Sequence, residues 1–166
     1  LQTKKEIDVA VDYFLKLDPV KGESKADGFT DQIQVLSWSW GGSNTSTVSG
    51  SSGSGAGKAD LSDLNIMITM DKASPELFKG MTAGTHYKKG TMSAVKTGAK
   101  GKPYLTVDLD EVFVTSLQLS ASSEVPTVSV SFSYKGITIE YKQQGTDGTL
   151  TSTGAVKYDV GTNVTA

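Results

Sequence analysis

The chain has no cysteine. That absence removes a disulfide framework, a thiolate zinc site and a cysteine nucleophile together. It has one histidine among its 166 residues, His86. A Ser-His-Asp arrangement or a histidine-based zinc site therefore lacks its usual partners. No apolar run approaches the roughly 20 residues of a membrane helix. The start, Leu1-Gln2-Thr3-Lys4-Lys5-Glu6, has no apolar core and does not read as a secretory signal peptide. Charge of neither sign dominates: 16 basic residues stand against 18 acidic ones, a net of -2. Without a basic stripe, nothing points to nucleic acid. Charged residues make up only 20%, below the usual ~25%.

What fills the polar positions instead is serine and threonine. Neutral hydroxyl faces cost less to desolvate than charged ones, so their abundance hints at burial against a neighbouring subunit. The length suits a single domain, which at this size hides about 70% of the surface of its unfolded chain. Such a domain needs no covalent staple.

Alternation of apolar and polar residues dominates, and it reads as strands. Val11, Tyr13, Leu15 and Leu17 share one face, with Asp12, Phe14 and Lys16 on the other. Leu36, Trp38 and Trp40 alternate with Ser37 and Ser39. Leu64, Ile66, Ile68 and Met70 form a third set, and Leu105, Val107 and Leu109 a fourth. The run from Val112 to Leu119 continues the fourth, with Asp110-Glu111 marking a bulge where the phase slips. Val128, Val130, Phe132 and Tyr134 are followed by Ile137, Ile139 and Tyr141. The Lys135-Gly136 pair between them reads as a two-residue hairpin. Val156, Tyr158 and Val160 supply a last short strand. One helix is predicted, with Ser74 as N-cap, Pro75 at the first helical position and Glu76 against the positive end of the dipole. Leu77, Phe78 and Met81 give it an apolar stripe, and Gly84 ends it. The expected fold is mainly β: a β-barrel or closed sandwich of two antiparallel sheets with one short α-helix packed outside.

The segment from Gly41 to Lys58, GGSNTSTVSGSSGSGAGK, interrupts this pattern between two strong strands. It is too long for a tight turn and is expected as an extended Gly/Ser loop. Either it is a solvated linker or an arm that orders against a partner. It is not a phosphate loop. Gly57-Lys58 has Ser52 and Ala59 where that motif needs Gly and Ser or Thr, and Gly53-Ser54-Gly55 meets Lys58 where the dinucleotide fingerprint needs its third Gly. His86, beside Tyr87, Lys88 and Lys89, reads as a surface or interface residue. Asp108, Asp110 and Glu111 gather carboxylates, but a strand spacing without a Gly-turned loop is not a calcium site. No catalytic, cofactor-binding or metal-binding residue is assigned.

Several separated stretches resemble one family. Phe14-Leu15-Lys16-Leu17 leads to Val20-Lys21-Gly22-Glu23-Ser24, and Val35-Leu36-Ser37-Trp38-Ser39-Trp40-Gly41 precedes the Gly/Ser-rich segment. Asp71-Lys72-Ala73-Ser74-Pro75-Glu76-Leu77-Phe78 and Gly84-Thr85-His86-Tyr87 follow. Glu111-Val112-Phe113-Val114-Thr115-Ser116 and Gly154-Ala155-Val156-Lys157-Tyr158 complete the series. In this order and spacing they resemble the haemolysin-coregulated protein (Hcp) family, over about Val11 to Tyr158. No single piece is diagnostic; the order is.

The resemblance implies a structural protein and not an enzyme. Hcp proteins form homo-hexameric rings that stack into the hollow inner tube of the bacterial type VI secretion system, similar to a phage tail tube. The implied partners are further rings, a spike protein, a contractile sheath and small effectors held in the lumen. Neither nucleic acid nor membrane insertion is implied, and no cofactor. Such proteins leave the bacterial cytoplasm without a cleaved signal peptide. The expected layout is one domain over 1–166, with an N-terminal extension at 1–10, the extended loop at 41–58 and a flexible tail at 159–166. If Trp38 and Trp40 face the core, Ser37 and Ser39 face away from it, and by resemblance they line the channel. The loop residues Gly42, Ser43, Asn44, Val48, Ser51, Ser54 and Lys58 are then candidates for ring stacking. The alternative is a stand-alone secreted β-sandwich that binds glycans or acts as an adhesin. That reading calls for exposed aromatics in a groove.

Overall fold

The computed structural model describes residues 10–46, 56–97 and 101–166. The strands are β1 (Val11–Lys16), β2 (Ile33–Val35), β3 (Ser37–Ser39), β4 (Gly42–Ser46), β5 (Ala56–Leu61), β6 (Leu64–Thr69), β7 (Tyr87–Lys96), β8 (Leu105–Ser120), β9 (Thr127–Gln144), β10 (Leu150–Asp159) and β11 (Val164–Thr165). The helix α1 (Ala73–Ala83) lies between β6 and β7. Among the described residues the fold is mainly β, with two antiparallel sheets and one short helix. Nine strands form the main sheet, in the order β11-β10-β9-β8-β7-β1-β2, with β3 and β6 joined to it through β9. The strands β4 and β5 form a separate hairpin.

The main sheet curls back on itself. From β9 the pairing runs through β8, β7 and β1 to β2; from β9 the other way it runs through β6 to β3. Only Leu36 separates β2 from β3, and its N–H donates to the Met67 carbonyl at 2.8 Å. The chain itself thus closes the path. This closure explains why Leu36 is exposed and not in the core as the alternation suggested. Ile33 and Val35 point inward, the strand bends at Leu36, and the inward phase passes to Trp38 and Trp40, which pack against the core. Met70, expected with Leu64, Ile66 and Ile68, is also exposed, because β6 ends one residue earlier.

The core fills the space enclosed by this sheet. Phe132, Leu15, Leu17, Ile33, Leu64, Ile68, Leu77, Met92 and Leu109 are among its fully buried side chains. Each contributes about 1.5–3 kcal/mol by leaving water. A second, smaller cluster lies outside the curl. There Phe14 stacks on Phe29 with ring centroids 4.6 Å apart, beside Val95. Phe14 was expected on the polar side of its strand; the segment after Val20 folds over it and buries that side too.

Lys135-Gly136 is not a hairpin. Both residues sit inside the 18-residue strand β9, and the expectation fails because β8 and β10 flank that strand and hold it extended. Gly136 pairs with Asp110 on one side and Asp159 on the other. A Cβ at Gly136 would lie 3.1 Å from the Asp110 carboxylate, so the glycine leaves room for that side chain across the strand pair and does not mark a turn. The phase slip at Asp110-Glu111 does occur. Val107 and Leu109 are buried, then Val112 and Val114, and Glu111 takes a φ of 50°. The register shift proper comes later, between Val114 and Ser116.

Helix α1 begins earlier than expected. Its N-cap is Lys72, whose side chain makes no cap bond; Ser74 lies inside the first turn. Ser74 still helps to satisfy the helix start. Its hydroxyl accepts from the Asp71 N–H at 3.1 Å, while the Asp71 carboxylate accepts from the Ala73 N–H at 2.9 Å. Gly84 ends the helix in the left-handed conformation with φ 63°, as its sequence position suggested. Leu77 is fully buried, but Phe78 is 53% exposed and does not join the stripe. Residues 159–166, expected as a flexible tail, include β11, which pairs with the end of β10.

Candidate functional site

The outward faces of β3, β6, β9 and β8 meet in one surface, built by register. Ser39 pairs with Asn65, Asn65 with Ser131 and Ser131 with Ser116. In the next row Ser37 pairs with Met67, Met67 with Ser129 and Ser129 with Gln118. A third row joins Thr69, Thr127 and Ser120. None of these side chains carries a charge. The inward residues between the rows, Ile66, Val130, Ile68 and Val128, are buried.

The rows are hydrogen-bonded across strands. Ser116 donates to the Ser131 hydroxyl at 3.0 Å, and Ser131 donates to the Asn65 amide oxygen at 2.5 Å. The Ser120 and Thr127 hydroxyls lie 3.2 Å apart. At the margin, Thr115, the extra residue of the register shift, donates to the Asp63 carboxylate at 2.6 Å. Among the described residues, no serine in these rows hydrogen-bonds to a histidine or carboxylate that would remove its proton, which a nucleophilic serine requires. The arrangement offers donors and acceptors to whatever lies against it, without a fixed sign of charge. Met67, 41% exposed, is the one large apolar side chain in it, and methionine adapts its shape to varied partners.

Ser37 and Ser39 were predicted to face away from the core, and both are exposed on β3. Their neighbours Asn65, Ser116, Ser129 and Ser131 were not assigned to the site. The alternation of Ser129, Ser131 and Ser133 was visible, but which strands lie beside them is not written locally. Of the loop candidates, Gly42, Ser43 and Asn44 lie on β4, opposite Leu61, Asp60 and Ala59 of β5. Lys58 is exposed on β5. Val48, Ser51 and Ser54 lie outside the described residues. The segment is therefore paired at both ends, and Gly57-Lys58 sits in a strand, where a phosphate loop would need a helix start.

The hairpin is tied down at its base. The Gly41 N–H donates to the Ser62 hydroxyl at 3.0 Å, and the Ser62 N–H donates to the Gly41 carbonyl at 2.8 Å. Trp40 donates its indole N–H to the Tyr134 oxygen, and Tyr134 donates to the Ser62 carbonyl at 2.8 Å. Burial pushes the Tyr134 phenol above its ordinary value; the Trp40 bond opposes that shift and the Asp63 charge adds to it.

The remaining titratable candidates are dispersed. Asp108 accepts from Thr91 at 2.6 Å and lies 3.7 Å from Lys89. Asp110 is 3.2 Å from Lys157, and Glu111 is 3.6 Å from the His86 ring, which packs edge-on against Phe113. Such exposed pairs contribute about 0–1 kcal/mol each. Among the described residues no group of three or more metal-ligating side chains comes together, and no helix is long and apolar enough to cross a membrane.

Known proteins share this build. Residues 14–141 match the family model described as type VI secretion system effector, Hcp. Protein hcp1 of Pseudomonas aeruginosa strain PAO1 is 42% identical over 153 residues, which is 90% of this chain and 94% of that protein. A solved type six secretion system protein superposes with a TM-score of 0.88 at 30% identity, covering 95% of this chain and 100% of its own. Hcp1 from Salmonella typhimurium superposes with a TM-score of 0.77 at 29% identity, covering 95% of this chain and 99% of its own. The chain belongs to the Hcp family of type VI secretion proteins.

Proposed function

We propose that this chain is a structural subunit of the type VI inner tube and not an enzyme. It forms homo-hexameric rings that stack into a hollow conduit, and the conduit carries small effectors in its lumen. The observation that carries this reading is the uncharged, hydrogen-bonded surface of β3, β6, β9 and β8. A channel wall of this kind holds varied cargo without imposing a sign of charge, and weak neutral contacts let the cargo leave. Ser37 and Ser39 belong to that wall. The partners in this reading are neighbouring rings, the spike, the contractile sheath and the effectors. The chain starts in the bacterial cytoplasm and leaves through the secretion system.

The β4–β5 hairpin serves as the arm that contacts a neighbouring subunit or ring, through Gly42, Ser43, Asn44, Val48, Ser51, Ser54 and Lys58. What supports this is its position: it stands outside the curled sheet as a separate two-stranded sheet, and an isolated hairpin has little apolar surface of its own to hold it. Electron microscopy of the parent protein and of a form shortened between Thr45 and Ala56 tests both parts. The parent should give hollow rings and tubes, and the shortened form rings with few tubes. Parent images without rings would overturn the tube reading; equal tube formation by both forms would overturn the arm.

A further inference from the structure

Strand β8 changes neighbours partway along its length. Up to Val112 it pairs with β7 on one side and β9 on the other. Past that point β9 remains, and among the described residues 113–120 have no strand on the opposite side. Helix α1 lies there instead, and between it and β8 runs a groove of about 400 Å³. Its lining includes Met70, Pro75, Phe78, Leu117 and Leu119, with Ser74 its one polar residue. Phe78 is 53% and Leu119 58% exposed, so apolar surface and an open strand edge lie side by side. Exposed apolar patches mark docking surfaces, and an open edge accepts a further strand.

The chain presents a second edge of the same kind. Strand β10 pairs with β9 along its length, while β11 covers only its end, at Tyr158 and Asp159. Ala166 bonds to the backbone of Lys157, which leaves 150–156 open on that side among the described residues. Val156 lies opposite Ile139, which packs against the core. Cross-strand partners share a face, so Val156 is on the core side of the sheet, yet it is exposed. Neither edge carries a charge or a proline: 113–120 reads FVTSLQLS and 150–156 reads LTSTGAV. Charges and prolines are what usually keep open edges from pairing. Each edge has one bulge, between Val114 and Ser116 and between Ser152 and Ala155, which leaves 116–120 of the first and the stretch around Val156 of the second regular.

We propose that these two edges meet between copies of this chain: β10 of one copy adds to the open edge of β8 of the next, and Val156 covers the groove beside Leu119. The inference rests on the ring reading above and names the surfaces that join the ring. The sheet order β10-β9-β8 puts the two edges on opposite flanks of β9. The contact is therefore head-to-tail, the type that closes into rings. A contact of β8 with β8 would be two-fold, would stop at a dimer and would leave Val156 uncovered.

The chain has no cysteine, so single-cysteine variants of the full chain report the contact without background. Leu119→Cys and Val156→Cys are mixed under conditions of assembly, treated with a short bis-maleimide and run on a denaturing gel. Covalent dimers are expected in the mixture well above the level in either variant alone. Leu119→Lys and Val156→Lys each place a charge in the contact at an exposed position. Each should keep the parent's urea midpoint and elute mostly as monomer at a concentration where the parent is hexameric. A hexameric parent without mixed cross-links, cross-linking of Leu119→Cys with itself alone, or parental hexamers in both lysine variants would overturn this inference and leave the ring reading standing. A parent that stays monomeric would overturn both.

Discussion

The Trp40 indole donates to the Tyr134 oxygen, and through it the end of β3 is joined to β9 across 94 residues of sequence. Tyr134 passes the connection on to the Ser62 carbonyl, so one phenol ties together the strand before the hairpin, the residue after it and the longest strand of the sheet. Tyr134→Phe keeps the ring and removes both bonds. It leaves the Trp40 N–H and the Ser62 carbonyl without that partner, and should cost about 1–3 kcal/mol. Urea unfolding checks this. A variant as stable as the parent would show that the phenol only fills space.

Tyr87, Tyr104 and Tyr134 each have a phenol pushed above its ordinary value, in every case chiefly by burial. The folded chain therefore keeps these protons longer than the unfolded chain does. Their contribution to stability is complete below about pH 10 and falls as pH rises through the folded values. Urea midpoints measured between about pH 9 and pH 11 should decline, and less steeply in Tyr134→Phe. Midpoints that hold constant or rise over that window would contradict the burial of these phenols.

The sequence made much of this fold legible because its strands alternate cleanly. Leu64, Ile66 and Ile68 announce β6, and Pro75 with Gly84 brackets the helix to within a few residues. The failures share a physical cause. Leu36 and Met70 continue an apolar period past the point where the strand bends or ends, and the period carries no mark of the bend. Lys135-Gly136 has the composition of a turn, but pairing with β8 and β10, distant in sequence, keeps it extended. The candidate surface was half visible. Ser37 and Ser39 follow from the tryptophans beside them. The row Ser39–Asn65–Ser131–Ser116 does not, because it needs the registers of three strand pairs, none of them fixed by local sequence.

Gly22, within the stretch Val20-Lys21-Gly22-Glu23-Ser24 that signals the family, has its own structural reason. A Cβ there would lie 2.6 Å from the Ile33 Cα and would overlap the Gln32 carbonyl. Both obstacles are backbone and cannot rotate away. Gly22→Ala should therefore destabilise by about 1–3 kcal/mol, the range for overpacking a tight site. Thermal unfolding checks it; an unchanged midpoint would mean that this crossing is loose.

Ser39 stands at the end of the first neutral row, exposed and opposite Asn65. Ser39→Gln adds bulk to that row without adding charge or touching the core. Rings should form as in the parent, while retention of a cognate effector falls about fivefold, the effect of losing roughly one hydrogen bond. Co-purification of effector with parent and variant measures it. Equal retention would remove Ser39 from the channel wall.

Light scattering coupled to size exclusion tests the central claim most directly, because the neutral surface can line a channel only if copies of the chain close around it. The mass of a hexamer, independent of loading concentration over the working range, is the predicted result. A monomer that persists at high concentration would contradict the tube reading.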